Sequence, residues 1–500
     1  MVNADLEDQL AALPADAAPE TERAILEVYA DWLEEQGHAD MAHALRVYQP
    51  DGFRPVSIAV ADDPLPPKYG LLRVEDVTLP LELFVIDQFL PRADPRLLDD
   101  RRDSPLTDEN FDKRLAEHQI TVSLDLAAAG IGDQQIEVQL RRLGDFEPDA
   151  LATQLSRLGV AAPNLQGALR ALFEQEPLRT VERTWRSLRW LLDRIREPVR
   201  VAIVNASAED LIAEFEDAPT NRHAHIHRMV NYRNHPGMTP SGAIVLGPQL
   251  PRERRGFYLL RQMAEVARRK ALPLITAAHP EMMSWAELAT EPAIGRHAII
   301  ATPSFVLRRA HPFEAAALEG SASYLVAARM ADAFSRHWGG GGLCGALRGV
   351  DLTHRGGRSH SIVAATRGFT QLIARDGDTH LTYGATASPS SAGSRSLDLH
   401  IISCRLALQL QNYHYAHFWG AEDPELRAAE YLAAQLESGL RRRLIDAHDF
   451  RVSLVDARFE EEPGFDFAGA LEVGLSLELP SRTGSGVVRH VERMTVRLGF

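Results

Sequence analysis

The 500-residue sequence holds two cysteines, Cys344 and Cys404, and three lysines, Lys68, Lys113 and Lys270. Two cysteines cannot supply a disulfide framework, so a reducing cytoplasm is the expected compartment. No lysine follows Lys270, so the glycine run "GGGG" at 339–342 has no Gly-Lys-Ser/Thr with which to make a phosphate loop. A glycine turn leaving a helix is the simpler reading. Long apolar runs are also missing: "LELFVI" and "LPLITAA" are far too short to span a bilayer. The first twenty residues are acidic and lack the basic start and apolar core of a secretion signal. A net charge of −15 argues against nucleic acid as the main partner, because phosphate neutralisation needs a basic face.

What is present is ample core material, 45% hydrophobic, and an uneven distribution of charge. Residues 1–48 carry eleven Asp/Glu against two Arg, so most of the net negative charge sits in the first tenth of the chain. "TERAILEVYADWLEEQGHADMAHALRVYQ" reads as two short helices, with Ile25, Val28, Tyr29 and Trp32 as one buried stripe and Gly37 as the C-cap. So small a module must dock on the main body or on a partner, with its acidic residues as a solvated face.

After Pro50 strands take over. "VSIAV" (56–60) alternates, and "LELFVID" (81–87) is the continuous apolar run of a strand covered on both faces. A mixed-charge linker follows. "QIEVQLRRL" (135–143) puts Ile136, Val138 and Leu140 on one face, and a helix opens at Pro148. The helix at 180–194 carries Val181, Trp185, Leu188 and Leu192 on one side. Next come "VRVAIV" (199–204), a capping box Ser207–Asp210, and the strands "GAIVLG", "ALPLITAA" and "RHAIIATPS" alternating with helices. This rhythm implies an α/β core with a largely parallel sheet. The remainder is more mixed (α+β): a helix at 321–337, a Ser/Gly-rich loop "GATASPSSAGSRS", helices near 398–418 and 423–447, and two closing strands, "ALEVGLSLELP" and "VVRHVERMTVRLGF".

Two enzymatic readings arise from the residues. "NRHAHIHRMVNYRNH" (221–235) sets His223 and His227 four apart, the helical spacing of zinc proteases, but lacks the glutamate of His-Glu-x-x-His and a third ligand. His279 lies just past a parallel strand, where α/β folds place ligands, with Glu281, Thr302 and Ser304 on neighbouring segments. Cys344 as a nucleophile is a weaker option than a small buried residue. No second motif supports a hydrolase.

Larger patterns resemble a known family. "LLRVEDVTLPLELFVIDQF", "LTDENFDKRL" and "IEVQLRRLGDFEPDALATQLSRL" are similar, in order and spacing, to the small subunit of the type VI secretion contractile sheath (TssB/VipA). "FEQEPLRTVERTWRSLRWLLDR", "RHAIIATPSFVLRRAHP" with its Pro-x-Phe-x-x-Arg turn, "AARMADAFSRHWGGGGLCGALRG", "RGFTQLIARDGDTHLTY" and "YHYAHFW" resemble the large subunit (TssC/VipB). Residues 20–48 look like a "YADWLEE" leader module common in myxobacterial proteins. The expected organisation is a helical leader at 1–50, a small-subunit-like domain at 51–172 and a large-subunit-like domain at 173–500. The sequence departs from the pattern at Asp87-Gln88-Phe89, where the family has Gly-Asp-Phe. The fusion point also replaces the large subunit's N-terminal stretch.

The resemblance implies a contractile tail-sheath-like fold and a structural protomer. It would polymerise with copies of itself around an Hcp-like inner tube, meet baseplate components, and contract. It would use no catalytic residue, cofactor or metal. Recycling by a ClpV-like AAA+ unfoldase is in question, because that enzyme grips the missing stretch. Strand donation between protomers is expected, and 470–479, with Leu471, Val473, Leu475, Leu477 and Leu479 on one face, is the favoured strand. An ordinary hairpin within the chain would give the same pattern. The rival readings are an adaptor derived from a sheath that no longer polymerises, and a cytosolic hydrolase or metal-dependent enzyme built on His279 or His223/His227.

Overall fold

The computed structural model describes residues 3–13, 19–47, 81–90, 106–396 and the strands within 451–498. Within 106–396 the segments 234–240, 279–296 and 337–344, and breaks of one or two residues, are left out. The strand expected at 56–60 and the helices expected near 398–418 and 423–447 lie outside the described residues.

Three helices open the chain: α1 (Ala4–Ala12), α2 (Pro19–Glu35) and α3 (Ala39–Val47). Gly37 ends α2 at φ +82°, and the amide of His38 closes the cap on the Leu33 carbonyl at 2.8 Å. The buried stripe of α2 is Leu26, Tyr29, Ala30 and Leu33; of the predicted Ile25, Val28, Tyr29 and Trp32, Tyr29 is in it, Ile25 and Trp32 are half-buried against the same core, and Val28 is 57% exposed. Both sets fit the helical period. The choice belongs to the neighbours, Leu10 on α1 and Ala42 and Leu45 on α3, which close a separate small core with Leu26 and Leu33. The acidic residues are not all solvated either: Glu7 and Glu22 are buried.

The main body is built on one eight-stranded sheet. β1 (Leu81–Asp87) leads into α4 (Phe111–His118), which occupies part of the predicted linker because Phe111 and Leu115 are buried one helical turn apart. The antiparallel pair β2 (Ile120–Asp125) and β3 (Gln135–Leu140) alternates strictly, with Ile136, Val138 and Leu140 inward as predicted; β2 was not among the strands read from the sequence. Helices α5 (Pro148–Arg157), α6 (Leu165–Phe173) and α7 (Glu176–Leu192) follow. Val181, Trp185, Leu188 and Leu192 of α7 are all buried, as their spacing required.

The alternating run then gives β4 (Val199–Asn205), α8 (Ala208–Asp217), α9 (His225–Arg233), β5 (Ser241–Gln249), α10 (Arg254–Arg269), β6 (Leu274–Ala277) and β7 (Ala298–Thr302). Ser207 and Asp210 form the predicted capping box on α8. A hairpin, β8 (Phe305–Arg308) and β9 (Leu318–Gly320), precedes α11 (Ala322–Arg336). After β10 (Gly345–Leu347) and α12 (Arg358–Thr366) come β11 (Phe369–Arg375) and β12 (Asp378–Tyr383). The predicted Ser/Gly-rich loop is instead a small antiparallel hairpin, β13 (Ala385–Ser390) and β14 (Gly393–Ser396); backbone pairing outweighs the poor strand propensity of its side chains.

The sheet order is β10-β12-β11-β7-β6-β5-β1-β4. Pairing is parallel from β4 through β11 and antiparallel for β12 and β10. β1 lies between β4 and β5. Leu83 and Val85 face a core built with α4, α5, α6, α7 and α11, while Phe84 and Ile86 face a second core built with α8, α9 and α10. Cover on both faces is why β1 reads as an unbroken apolar run. Leu106 bridges the outer edge of β4 through its amide to the Val201 carbonyl, 2.7 Å.

At the C-terminal end β15 (Arg451–Glu461), β16 (Gly469–Pro480) and β17 (Val487–Leu498) form an antiparallel sheet with β16 in the middle. The strand favoured for donation is therefore paired within its own chain on both sides. β15 and β17 are the sheet's edges.

Candidate functional site

The joint between the early and late parts of the chain carries an extended polar network among the described residues. It starts on α7. Glu182 falls within that helix's apolar stripe and is fully buried, a placement that demands a charged partner. It has two. Arg186, one turn on, donates from Nε at 2.8 Å, and Arg308 on β8 donates from Nε at 2.7 Å and Nη2 at 2.8 Å. Arg308 also grips Glu314 through Nη1 (2.5 Å) and Nη2 (3.0 Å). Glu314 further accepts from Arg179 at 3.0 Å and from the His311 amide at 2.9 Å. Arg186 continues to Glu147 at 2.7 Å, at the start of α5.

The result is a chain of alternating charges, Arg179–Glu314–Arg308–Glu182–Arg186–Glu147, three of each sign. Arg308 and Glu182 are 126 residues apart. Burial alone would lower the guanidinium pKa of Arg308, but its bonds to Glu182 and Glu314 outweigh that and raise it. Burial would raise the Glu314 carboxyl; the Arg308 and His311 bonds hold it below the usual range. Arg308 is the arginine of the Pro-x-Phe-x-x-Arg turn, and Glu182 lies in the opening helix of the large-subunit pattern. Two motifs noticed separately in the sequence meet here. A glutamate on an apolar helical stripe was the available signal for this network, and the sequence reading did not use it.

A cleft of about 610 Å³ lies beside the network, at the carboxyl ends of β1 and β5 and the start of α8. The chain leaves β1 over one face of the sheet and β4 over the other, the arrangement that opens a crevice in α/β folds. Its floor is Asp87, which accepts from the Tyr324 hydroxyl at 2.7 Å and from the Gln88 amide at 2.7 Å. Burial pushes the Asp87 carboxyl up and Tyr324 well up, the latter further raised by the neighbouring Asp87 charge. Residue 247 must be glycine, because any Cβ there would strike the Asp87 carboxyl. The wall arginines are engaged: Arg179 by Glu314, Arg183 by Glu176 at 3.5 Å. The chemistry of this region is cross-bracing.

Of the residues proposed from sequence, the described ones, His227, Thr302 and Ser304, do not line this cleft. His223, His279, Glu281 and Cys344 lie outside the described residues. Helix α9 is described from His225 onward, so the predicted His223/His227 pair is not tested by the described residues. His227 is buried beside Ile226 and Val230 in the α9 packing. Thr302 and Ser304 are buried; Ser304 accepts from Gln249 at 2.5 Å, and its carbonyl takes the amide and hydroxyl of Thr353, both at 2.9 Å. Among the described residues no group of three or more His, Cys, Asp or Glu could hold a metal ion. Among them, too, no helix is long and apolar enough to cross a membrane.

With the geometry in place, comparison with known proteins is informative. Residues 72–192 match the family model described as type VI secretion system, VipA, VC_A0107 or Hcp2. Residues 162–306 match the model described as EvpB/VC_A0108, tail sheath N-terminal domain (VipB). No curated protein matches the chain. Among solved structures, the chain is similar to one in the baseplate of the anti-feeding prophage, at 11% identity and a TM-score of 0.39, covering 89% of this chain and 94% of that one. It is also similar to the sheath of an extracellular contractile injection system, PVC, in the contracted state, at 11% identity and a TM-score of 0.35, over 62% of this chain and 76% of the other. A sheath tail protein from Desulfitobacterium hafniense gives 12% identity and a TM-score of 0.29, over 48% and 54%. The two family matches overlap at 162–192, so α6 and α7, the helices that carry Glu182 and Arg186, are common to both. Residues 72–306 thus hold, in collinear order and in one polypeptide, a region that matches the VipA model and a region that matches the VipB tail-sheath model.

Proposed function

We propose that the chain polymerises with copies of itself as a helical sheath around an Hcp-like inner tube, bears on baseplate components and contracts to drive the tube. One observation carries this reading. β1, from the VipA-type region, is an internal strand between β4 and β5 of the VipB-type region, and α7 is bonded to both sides. The two halves form one mechanical unit at fixed one-to-one stoichiometry, which suits a single-chain protomer that must rotate in a lattice without coming apart. The boundaries 1–50, 51–172 and 173–500 are regions of resemblance in this reading, and the body across 172 is one folding unit.

Neighbouring protomers would be stitched by strand addition, and the sheet edges β15 and β17 are the donors or acceptors, with β16 as the spine. Work comes from the change in lattice packing, so the protein is proposed to be a non-enzymatic cytoplasmic component without metal or cofactor. Recycling by a ClpV-like unfoldase would need a grip other than the replaced N-terminal stretch of the large subunit.

Negative-stain electron microscopy of the purified full chain, across protein concentration and ionic strength, tests this. Hollow striated tubes are expected. Monodisperse particles under every condition would refute polymerisation and favour the adaptor.

A further inference from the structure

The salt-bridge network braces the walls of the cleft at the carboxyl ends of β1 and β5 without filling it. The cleft's volume, about 610 Å³, falls in the range of about 300–1,000 Å³ that small-molecule sites occupy. Its place in the sheet points the same way. Within the eight-stranded sheet the chain passes from β1 to β4 on one flank and from β5 to β6 on the other, so the strand order turns back between β1 and β5. Open α/β sheets bind ligands in the crevice at such a switch point, beyond the carboxyl ends of the strands. Asp87 ends β1, and Gly247, Pro248 and Gln249 end β5, so the cleft straddles that point.

Charge selects the ligand. Six ionisable side chains line the cleft: Asp87, Glu176, Arg179, Arg183, Glu209 and Glu319. Both arginines are matched, Arg179 by Glu314 at 3.0 Å and Arg183 by Glu176 at 3.5 Å. The Asp87 floor is taken up by the Tyr324 hydroxyl and the Gln88 amide. Glu209, on the first turn of α8, and Glu319, on β9, are exposed and make no hydrogen bond or ion pair among the described residues. The surplus is therefore negative and is carried by two separate elements. The α8 N-terminus offers an anion little, because Ser207 and Asp210 already cap it. A bare metal ion does not fit either, since it needs more carboxylate or imidazole ligands than any one place among the described residues supplies. The lining also includes Pro248, Pro251, Ala316 and Ala317, whose side chains suit methylene groups.

We propose that this cleft binds a linear aliphatic polyamine, with its ammonium groups paired to Glu209 and Glu319 and its methylene chain against the prolines and alanines. Two ammoniums on a flexible chain match two carboxylates on separate elements, whereas a monoamine satisfies only one. The bound cation would tie the start of α8 to the β8–β9 hairpin, beside the joint that Arg308 braces from within. The proposal stands apart from the polymer reading, because it needs only the protomer.

Isothermal titration calorimetry of the full chain with spermidine, at constant ionic strength, tests it. Saturable binding of one spermidine per chain is expected. Glu209→Gln and Glu319→Gln should each weaken binding roughly fivefold, and the double variant about twenty-five-fold, the loss expected for one and two solvent-screened ion pairs. Neither side chain has a partner in the protomer, so each variant should melt within about 2 °C of wild type. Glu137→Gln, an exposed acid of β3 outside the cleft, should bind as wild type does. Butylamine, with its single ammonium, should not saturate over the same range. Absence of saturable binding, an equal loss in Glu137→Gln, an unchanged affinity in the double variant, or equal competition by magnesium would overturn the site and mark the interaction as general attraction to an acidic protein. A trilysine peptide that binds more tightly than spermidine would overturn it in favour of a basic protein partner.

Discussion

Replacing Arg308 with methionine keeps most of the side-chain volume and removes the one cation that joins Glu182 to Glu314. Both carboxylates are essentially inaccessible, at 0% and 1% side-chain exposure. Each retains one cation, Arg186 and Arg179 respectively, so neither becomes a lone buried charge. Breaking a buried pair by removing one partner costs about 3–5 kcal/mol, and the surviving partners place this case near the lower end, about 3 kcal/mol. That corresponds to a rise of roughly a hundredfold in the population of the locally open state. The appropriate assay is native-state hydrogen exchange on α7 and the β8–β9 hairpin, because a chain this long need not unfold in one step. Arg308→Met should accelerate exchange there by about that factor and leave α2 and α3 unchanged. Arg308→Lys should recover only a fraction, since lysine cannot fork between two carboxylates. Adding Glu182→Leu to Arg308→Met should restore protection in part by removing a buried acid that has lost one of its two cations. Exchange within threefold of wild type in Arg308→Met, or full rescue by lysine, would show that the network is ornamental to the joint.

Four further outcomes follow from the same geometry. Acid should loosen the joint: Glu314 has a depressed folded pKa, so its contribution is present above the ordinary carboxylate range and is lost as pH falls through the folded value, visible as faster hairpin exchange at low pH. Asp87 has the opposite sign. Its raised folded pKa gives stability that is full below the unfolded pKa and is lost as pH rises through the folded one, so Asp87→Asn should raise the melting temperature more at pH 7 than at pH 4. In the leader, Leu26→Ala should cost about 2–5 kcal/mol and expose residues 1–47 to protease, while Val28→Ala should stay within about 0.5 kcal/mol; equal effects would return the stripe to its sequence-based position. Finally, proline scanned along β17 should be tolerated at alternate positions and block tube formation there, whereas in β16 every position should disrupt the sheet, read by circular dichroism and microscopy.

What the sequence alone determined is whatever depends on chain-local geometry. The period of 3.6 placed Val181, Trp185, Leu188 and Leu192 on the buried face of α7, and the period of two did the same for Ile136, Val138 and Leu140. The unbroken run at 81–87 announced a strand covered on both sides, and the βαβ rhythm announced the parallel sheet. Collinear short patterns were enough to indicate two sheath-like regions. Tertiary structure decided every choice between locally equivalent alternatives. The two candidate stripes of α2 have the same period, and only the side chains of α1, α3 and α12 select Leu26 over Ile25. Whether β16 lies at an edge or in the middle depends on β15, which no pattern within 469–480 contains. Glu182 and Arg308 are legible as charges but not as a pair, because 126 residues separate them and the folding of the sheet brings them together. Periodicity is a property of one segment of backbone. Partnership is a property of the packed whole, and the joint, the docked leader and the order of the sheet all belong to the second kind.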